Sequence, residues 1–181
     1  EGPLAVAVVT ADCLPILMSS RDGRVVAALH GGWQGLVAGI VGAAVARFNA
    51  RGVASADIRV AIGPGIKACC YEVSAGFIEA LQVGHGRLWE GAVPPWSQRR
   101  PLPERPPRFA PPEPRQAEQG AWLDLVAFCR QLFQAAGVGP AQIEASAVCT
   151  YCSGDAFASH RRRQRLGEEK RQQYAWIARK P

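Results

Sequence analysis

Residues Ala7 to Met18 read AVVTADCLPILM. An apolar, β-branched run that opens at Leu4 (LAVAVVT) stops at a carboxylate and a thiol, Asp12 and Cys13, and a second apolar segment follows at once. The composition of the first run predicts a central strand covered on both faces. Pro15 bars a simple continuation of the ladder, so ILMSS running into RDGR predicts a second strand and an Asp-Gly hairpin, with VVAALH as its return strand. That return strand ends at His30 in HGGWQG. The small and apolar residues of LVAGIVGAAVARFNARG then predict one buried helix of about four turns, closed by Gly52. Cys13 and His30 therefore both stand where a strand gives way to a turn, which is where open α/β sheets assemble their sites.

Farther along, IRVAIGP (Ile58 to Pro64) predicts a strand, and Ser74 after CCYEV predicts the cap of a short helix through AGFIEALQV. Between residues 91 and 118 the character changes. Nine of the fourteen prolines fall from Pro94 to Pro114, which excludes a helix or a central strand and predicts an extended or disordered surface loop inserted into a single domain spanning residues 1–181. WLDLVAFCRQLFQAAGV restores helical spacing through Leu123, Val126, Leu132 and Phe133 and ends at Gly137. IEASAVCTY, an irregular link through CSGDAFASHRRR, and YAWIAR complete the chain as strand, link and strand. Hairpins mixed with strand-helix alternation place the chain in the α/β class with mixed sheets.

The chain has 181 residues, of which 48% are hydrophobic, enough for one sizeable core. No stretch approaches the ~20 apolar residues of a membrane span, and no basic-then-apolar leader is visible. Six cysteines are few for this length, and the adjacent pair Cys69 and Cys70 suits neither a disulfide staple nor a zinc knuckle. The expectation is a soluble, cytoplasmic protein with reduced thiols. The net charge of +6 is concentrated in the proline-rich stretch and in RRRQRLGEEKR (Arg161 to Arg171). Neither region interleaves cations with stacking aromatics, so solvated surface is favoured over nucleic-acid binding, and no membrane partner is expected.

A thiol and an imidazole at neighbouring strand ends have two chemical uses: ligation of a metal by sulfur and nitrogen, or a cysteine nucleophile with a histidine base. A buried cysteine beside a hydrogen-bonded junction histidine is the third reading. Asp12 is a candidate for orienting His30 or handling a proton, or else for a local backbone hydrogen bond. Trp33 suits a base platform or a packing anchor. Strand alternation points one of Cys69 and Cys70 inward and the other out, with core filling favoured. Cys149 and Cys152 form a lone C-x-x-C at a strand end without a second ligand pair at knuckle spacing. His85 and His160 are expected to be exposed, and Arg161 and Arg162 to be surface charge unless they hold an anion.

TADCLPILM, HGGWQGLVAGIV, AIGPGIKACCYEV, LDL and CTYCSGDAFASHRR resemble, in that order, successive motifs of the YfiH family, also called the laccase-domain or polyphenol-oxidase family. The resemblance covers nearly the whole chain outside the proline-rich loop. It implies an α/β/β/α sandwich with mixed sheets and a zinc site of two histidines and one cysteine. The implied activity is phosphorolysis of adenosine, inosine, guanosine and methylthioadenosine, with adenosine deamination; the partners are then a purine nucleoside and phosphate. Older descriptions of the family imply copper and phenol oxidation, and others imply editing of peptidoglycan precursors.

On the matching motifs, the family's metal cysteine falls on Cys13 and a metal histidine on His30. Its other metal histidine belongs to a Q-V-H-G motif upstream of T-A-D-C, and the sequence begins nine residues before Thr10. The chain thus resembles a member lacking its N-terminal third, and weak metal retention with little activity is the expectation. The arginine of H-A-G-W-R-G is Gln34 here, and the tyrosine of S-Y-R-R is His160, followed by Arg161 and Arg162. Gln34 and Arg162 are the substrate-binding candidates, Cys13, His30 and Asp12 the catalytic ones. A Cys-His₂ set with an open position suits zinc better than copper.

Overall fold

Strand β1 (Ala5–Thr10) runs into the corner at Asp12 and Cys13 and leaves it as β2 (Leu14–Ser20), which turns back into β3 (Val26–Gly31). The computed structural model describes residues 4–114 and 120–179. At the β2–β3 turn Gly23 adopts φ 76°, Ser20 N–H donates to the Val25 carbonyl, and the Asp22 carboxylate accepts from Ser20 Oγ and the Arg24 N–H. The Asp-Gly hairpin is therefore formed by the residues expected to form it.

Two helices follow, α1 (Trp33–Val37) and α2 (Ile40–Asn49), where the sequence predicted one. The break is Gly39, at φ 87°, a backbone conformation that stops a right-handed helix and costs glycine little. Helix α2 buries Val41, Ala44, Val45 and Phe48, at the spacing of one helical face, and ends with Gly52 at φ 79° and Val53 N–H bonded back to the Phe48 carbonyl.

The chain continues through β4 (Ile58–Ile62), β5 (Glu72–Ser74) and α3 (Ala75–His85), whose N-terminus is capped as expected: Phe77 N–H donates to Ser74 Oγ at 3.2 Å. Then come β6 (Trp96–Ser97), β7 (Gly120–Leu123), α4 (Leu125–Ala135) and β8 (Ile143–Ala145), and finally α5 (His160–Leu166) and β9 (Gln173–Ala178). Trp122 and Leu123, expected to open a helix, belong to β7 instead. Asp124 starts α4 by accepting the Val126 and Ala127 N–H groups at 2.9 Å, an N-cap that the apolar spacing concealed.

Strands order as β3-β2-β4-β8, with β4 and β8 parallel and the other pairs antiparallel, so the main sheet is mixed, as expected. Leu14, Ile16 and Met18 of β2 and Ile58, Val60 and Ile62 of β4 face one core with α2 and α4, whose Phe48, Phe128 and Phe133 are buried. Pro15 lies second in the central strand, where its missing N–H falls at the strand's end; its carbonyl still accepts the Gly63 N–H at 2.8 Å. A Cβ at residue 63 would stand 2.8 Å from Pro15 Cγ, so glycine is required there.

Strand β1 is not the central strand its composition predicts. It pairs with β9 in a two-stranded antiparallel sheet packed over β2 and β3. Val8 and Thr10 face inward, while the pair leaves Tyr174 and Trp176 exposed. A continuous apolar run does not distinguish a doubly covered strand from one laid on a neighbouring sheet.

The proline-rich segment contributes β6, the edge of a third sheet ordered β5-β7-β6, and Trp96 meets Trp89 edge-on at 5.2 Å between centroids. Farther on, Arg108 and Phe109 donate their N–H groups to the Cys152 carbonyl, so this stretch is anchored to the domain rather than detached from it. Residues 115–118 of the expected loop lie outside the described residues. No helix among the described residues is long and apolar enough to cross a membrane.

Phe133 is fully buried, and Phe133→Ala is expected to cost about 3–5 kcal/mol in chemical denaturation. Ser74→Ala, which removes one exposed cap, is expected to cost about 1 kcal/mol in the same measurement.

Candidate active site

Cys13 and His30 meet. Their strand ends are in register, Leu14 opposite Gly31 and Pro15 opposite His30, and both side chains turn toward the backbone of Gly32, the N-cap of α1. A Cβ built on Gly32 would stand 3.0 Å from Cys13 Sγ and 3.6 Å from His30 Nε2. Both donor atoms thus border one small space that glycine keeps open. They line a cavity of about 470 Å³ with Trp33, Tyr71, His160 and Arg161 in its wall. Trp33 is both anchor and wall: it packs edge-on against Phe77 at 5.1 Å and remains 40% exposed.

Asp12 does not orient His30. Its backbone is at φ 80°, and its buried carboxylate bridges two distant segments: Oδ1 accepts from Thr150 Oγ1 at 2.7 Å and Oδ2 from the Arg161 N–H at 2.6 Å, in the first turn of α5. The hydrogen bond to backbone foreseen as local is made 149 residues away. Burial pushes the Asp12 carboxyl up from its ordinary range, opposed by those hydrogen bonds. Burial and the neighbouring Asp12 charge also push the Cys13 thiol up. That is opposite to the low-pKa thiol expected of a cysteine nucleophile. Tyr71 is raised to about 12, mainly by burial.

Two substrate-binding candidates fall elsewhere. Gln34 is exposed on α1 and is not part of the cavity wall. Arg162 is 1% exposed; its guanidinium donates to the carbonyls of Thr150, Tyr151 and Phe157 and pairs with Glu168 at 2.6 Å. All of this arginine's reach goes into holding loops together. Its neighbours on α5, Arg161 and Arg163, face the cavity instead, and with Lys170 and Arg171 they make the wall cationic. Of these cations the sequence singles out Arg161 as a possible anion holder, whereas Arg163, Lys170 and Arg171 sit in a run that reads as solvated surface, because α5 is concealed in what the sequence predicts as an irregular link. The signal was present: Ser159 caps the helix, with Arg162 N–H donating to its Oγ at 3.1 Å, and Gly167 closes it at φ 69°. His160, exposed as expected, borders the same cavity, while His85 packs edge-on against Phe128 at 5.3 Å.

Residues 1–177 match the family model described as multi-copper polyphenol oxidoreductase laccase. The chain belongs to this family. Among solved structures similar to it, YlmD from Geobacillus stearothermophilus superposes with a TM-score of 0.72 at 32% identity, over 98% of this chain and 58% of that one. The YfiH protein of Bacillus licheniformis gives 0.71 at 28% identity, over 97% and 57%. Curated relatives include purine nucleoside phosphorylase YlmD of Geobacillus stearothermophilus, 35% identical over 90% of this chain and 52% of the relative. Another is adenosine deaminase RL5 from an unknown prokaryotic organism, 33% identical over 88% and 53%. The chain spans about half the length of these curated relatives.

The YfiH-like mixed α/β fold is thus shared with solved relatives. One sulfur and one imidazole nitrogen, opening on a cavity, fit part of the ligand set of a catalytic zinc ion. Among the described residues no third histidine, cysteine or carboxylate groups with them.

The Asp12 bridge predicts a graded response. Asp12→Ala loses two hydrogen bonds to a charged acceptor and strains the positive φ, which should cost about 3 kcal/mol and lower Tm by roughly 10 °C. Asp12→Asn tolerates that φ and keeps an acceptor, so differential scanning calorimetry should place it within about 1 kcal/mol of the parent.

Proposed function

We propose that this chain forms the metal-dependent nucleoside site of a purine nucleoside phosphorylase that also deaminates adenosine. The observation that carries the reading is the convergence of Cys13 and His30 on one cavity whose far wall is cationic. The names of the related YlmD and RL5 proteins support the same activities.

In this reading Cys13 Sγ and His30 Nε2 hold zinc, with further ligands from outside the described residues. Bound there, zinc would supply Lewis acidity. Zinc is preferred to copper because the donors are one thiolate and one imidazole, and the chain's other histidines are not grouped around them.

Arg161 and Arg163 hold inorganic phosphate, and Trp33 and Tyr71 present aromatic walls to the purine. A phosphate oxygen attacks C1′ of the ribose as the bond from C1′ to N9 breaks. The bonding pair goes to the base, the proton that phosphate gives up goes to a base nitrogen, and ribose 1-phosphate and free purine leave. Holding phosphate and nucleoside together supplies most of the advantage, since the step becomes effectively unimolecular. For deamination, water adds at C6 of adenosine and ammonia departs, giving inosine. The preferred nucleosides are those of the family reading: adenosine, inosine, guanosine and methylthioadenosine.

The test is a chromatographic assay of the protein with inosine, phosphate and zinc. Hypoxanthine should appear slowly, in keeping with the two ligands of three that the described residues supply, and only when phosphate is present, and Cys13→Ser and His30→Ala should each abolish it. Arg163→Ala should raise KM for phosphate about tenfold, equivalent to about 1.4 kcal/mol, with little change in Tm. Arg162→Ala should instead lower Tm, because it strips three carbonyls, two of them buried, of their donor. Copper-dependent phenol oxidation that requires the same two residues, without phosphate-dependent base release, would overturn the reading.

A further inference from the structure

Four cysteines that the pocket does not use come together on the other side of the loops that build it. Cys69, Cys70, Cys149 and Cys152 place their sulfurs within 4.8 Å of one another, and all four residues are at most 7% exposed. Cys70 and Cys152 are 3.2 Å apart, Cys69 and Cys70 3.6 Å, and Cys69 and Cys152 3.9 Å. A disulfide would require about 2.05 Å. Four thiolates placed tetrahedrally about zinc at about 2.3 Å stand roughly 3.8 Å apart along each edge, close to these separations. We propose that Cys69, Cys70, Cys149 and Cys152 form a structural tetrathiolate site for zinc, distinct from the pocket at Cys13 and His30.

The local backbone explains how so uneven a spacing makes one site. Cys69 and Cys70 are adjacent, but they lie in a turn closed by Cys70 N–H on the Lys67 carbonyl, so both thiols point the same way. Strand alternation, which would have sent one outward, does not apply there. Cys149 and Cys152 occupy a second turn, with Ser153 N–H on the Cys149 carbonyl and the Cys152 N–H directed at the Cys149 sulfur. The bridge between Gly65 and Cys149, and Thr150 N–H on the Gly65 carbonyl, set the two turns side by side. The second ligand pair that C-x-x-C lacks in its own neighbourhood is supplied eighty residues earlier in the chain.

The surroundings suit an anionic centre. A zinc ion with four thiolates carries a net charge of −2. Cations are fixed around both turns: Arg162 on the carbonyls of Thr150 and Tyr151, Arg100 Nε on the Cys69 carbonyl, and Lys67, which opens the first turn, with its Nζ on the Ser146 carbonyl. Arg100 Nη2 is buried with no hydrogen-bond partner among the described residues, and the same guanidinium lies over the Trp122 ring at 4.8 Å. A cavity of about 20 Å³ lies beside Cys149 and Cys152, walled by residues 103–106 of the proline-rich segment.

The site also has a purpose for the pocket. Tyr71 follows Cys70 directly and lines the cavity, and Thr150, between Cys149 and Cys152, holds the Asp12 carboxylate. A metal at the four thiols pins both supports at once.

The decisive experiment counts and identifies bound metal in the purified full chain. After dialysis it should retain about one zinc per chain, and Cys13→Ser and His30→Ala should retain that zinc. Cys70→Ser and Cys152→Ser should lose it. Cobalt(II) exchanged into the parent chain should show an intense thiolate-to-metal charge-transfer band and the visible bands of tetrahedral cobalt, unchanged in Cys13→Ser. Should the cysteine variants fail to fold, alkylation of the parent chain decides the matter. The four thiols should resist iodoacetamide until a strong chelator is added and then label together. Negligible zinc in the parent chain, cobalt without a thiolate band, labelling independent of chelator, or a chain mass lower by two hydrogens from a disulfide within the group would each overturn the proposal. Loss of the retained zinc in Cys13→Ser or His30→Ala with the four thiols intact would do the same.

Discussion

The Asp12 carboxylate is the point at which the architecture of the pocket closes. One side chain, at a backbone angle few residues adopt, accepts a hydroxyl from Thr150 and an amide from the first turn of α5. It thereby ties three segments far apart in sequence: the corner between β1 and β2, the turn at residues 149–152 and the helix that carries Arg161 and Arg163. Cys13 follows immediately, so its sulfur is placed by the same contacts. The cost of burying the carboxylate is offset by donors on both oxygens.

From that corner the chemistry divides between two sulfur-bearing groups. One thiol, half-buried, faces an open cavity together with an imidazole and a cationic wall. Four thiols, all buried, face one another behind it. The difference in burial matches the difference between the two proposed roles: a catalytic metal keeps a position open to substrate, and a structural metal has none. The loops are shared, since Tyr71 and Thr150 belong to the turns of the closed group and to the wall or support of the open one.

Much of this was legible in the sequence, for identifiable reasons. The β2–β3 hairpin, the Ser74 cap and the meeting of Cys13 with His30 follow from short-range signals: an Asp-Gly turn, a serine before apolar spacing, two strand ends joined by one hairpin. What was not legible depended on contacts across long separations or on a single backbone angle. Gly39 splits a helix that its neighbours' composition would continue. The pairing of β1 with β9 joins the two ends of the chain, and the apolar run by itself cannot announce it. Arg162 and its neighbours look alike in a run of arginines; only the phase of α5 turns one inward to the carbonyls and the others toward the cavity. The thiol cluster draws on an adjacent pair that no ligand spacing rule anticipates, because a turn rather than a strand carries it.

The account rests on a divalent ion shared by one sulfur and one imidazole nitrogen at the strand ends. Anomalous diffraction from zinc-soaked crystals, recorded on both sides of the zinc absorption edge, tests this most directly. The account predicts a peak within bonding distance of both Cys13 Sγ and His30 Nε2. A map with no peak between those atoms, at zinc concentrations that saturate the protein, would contradict it.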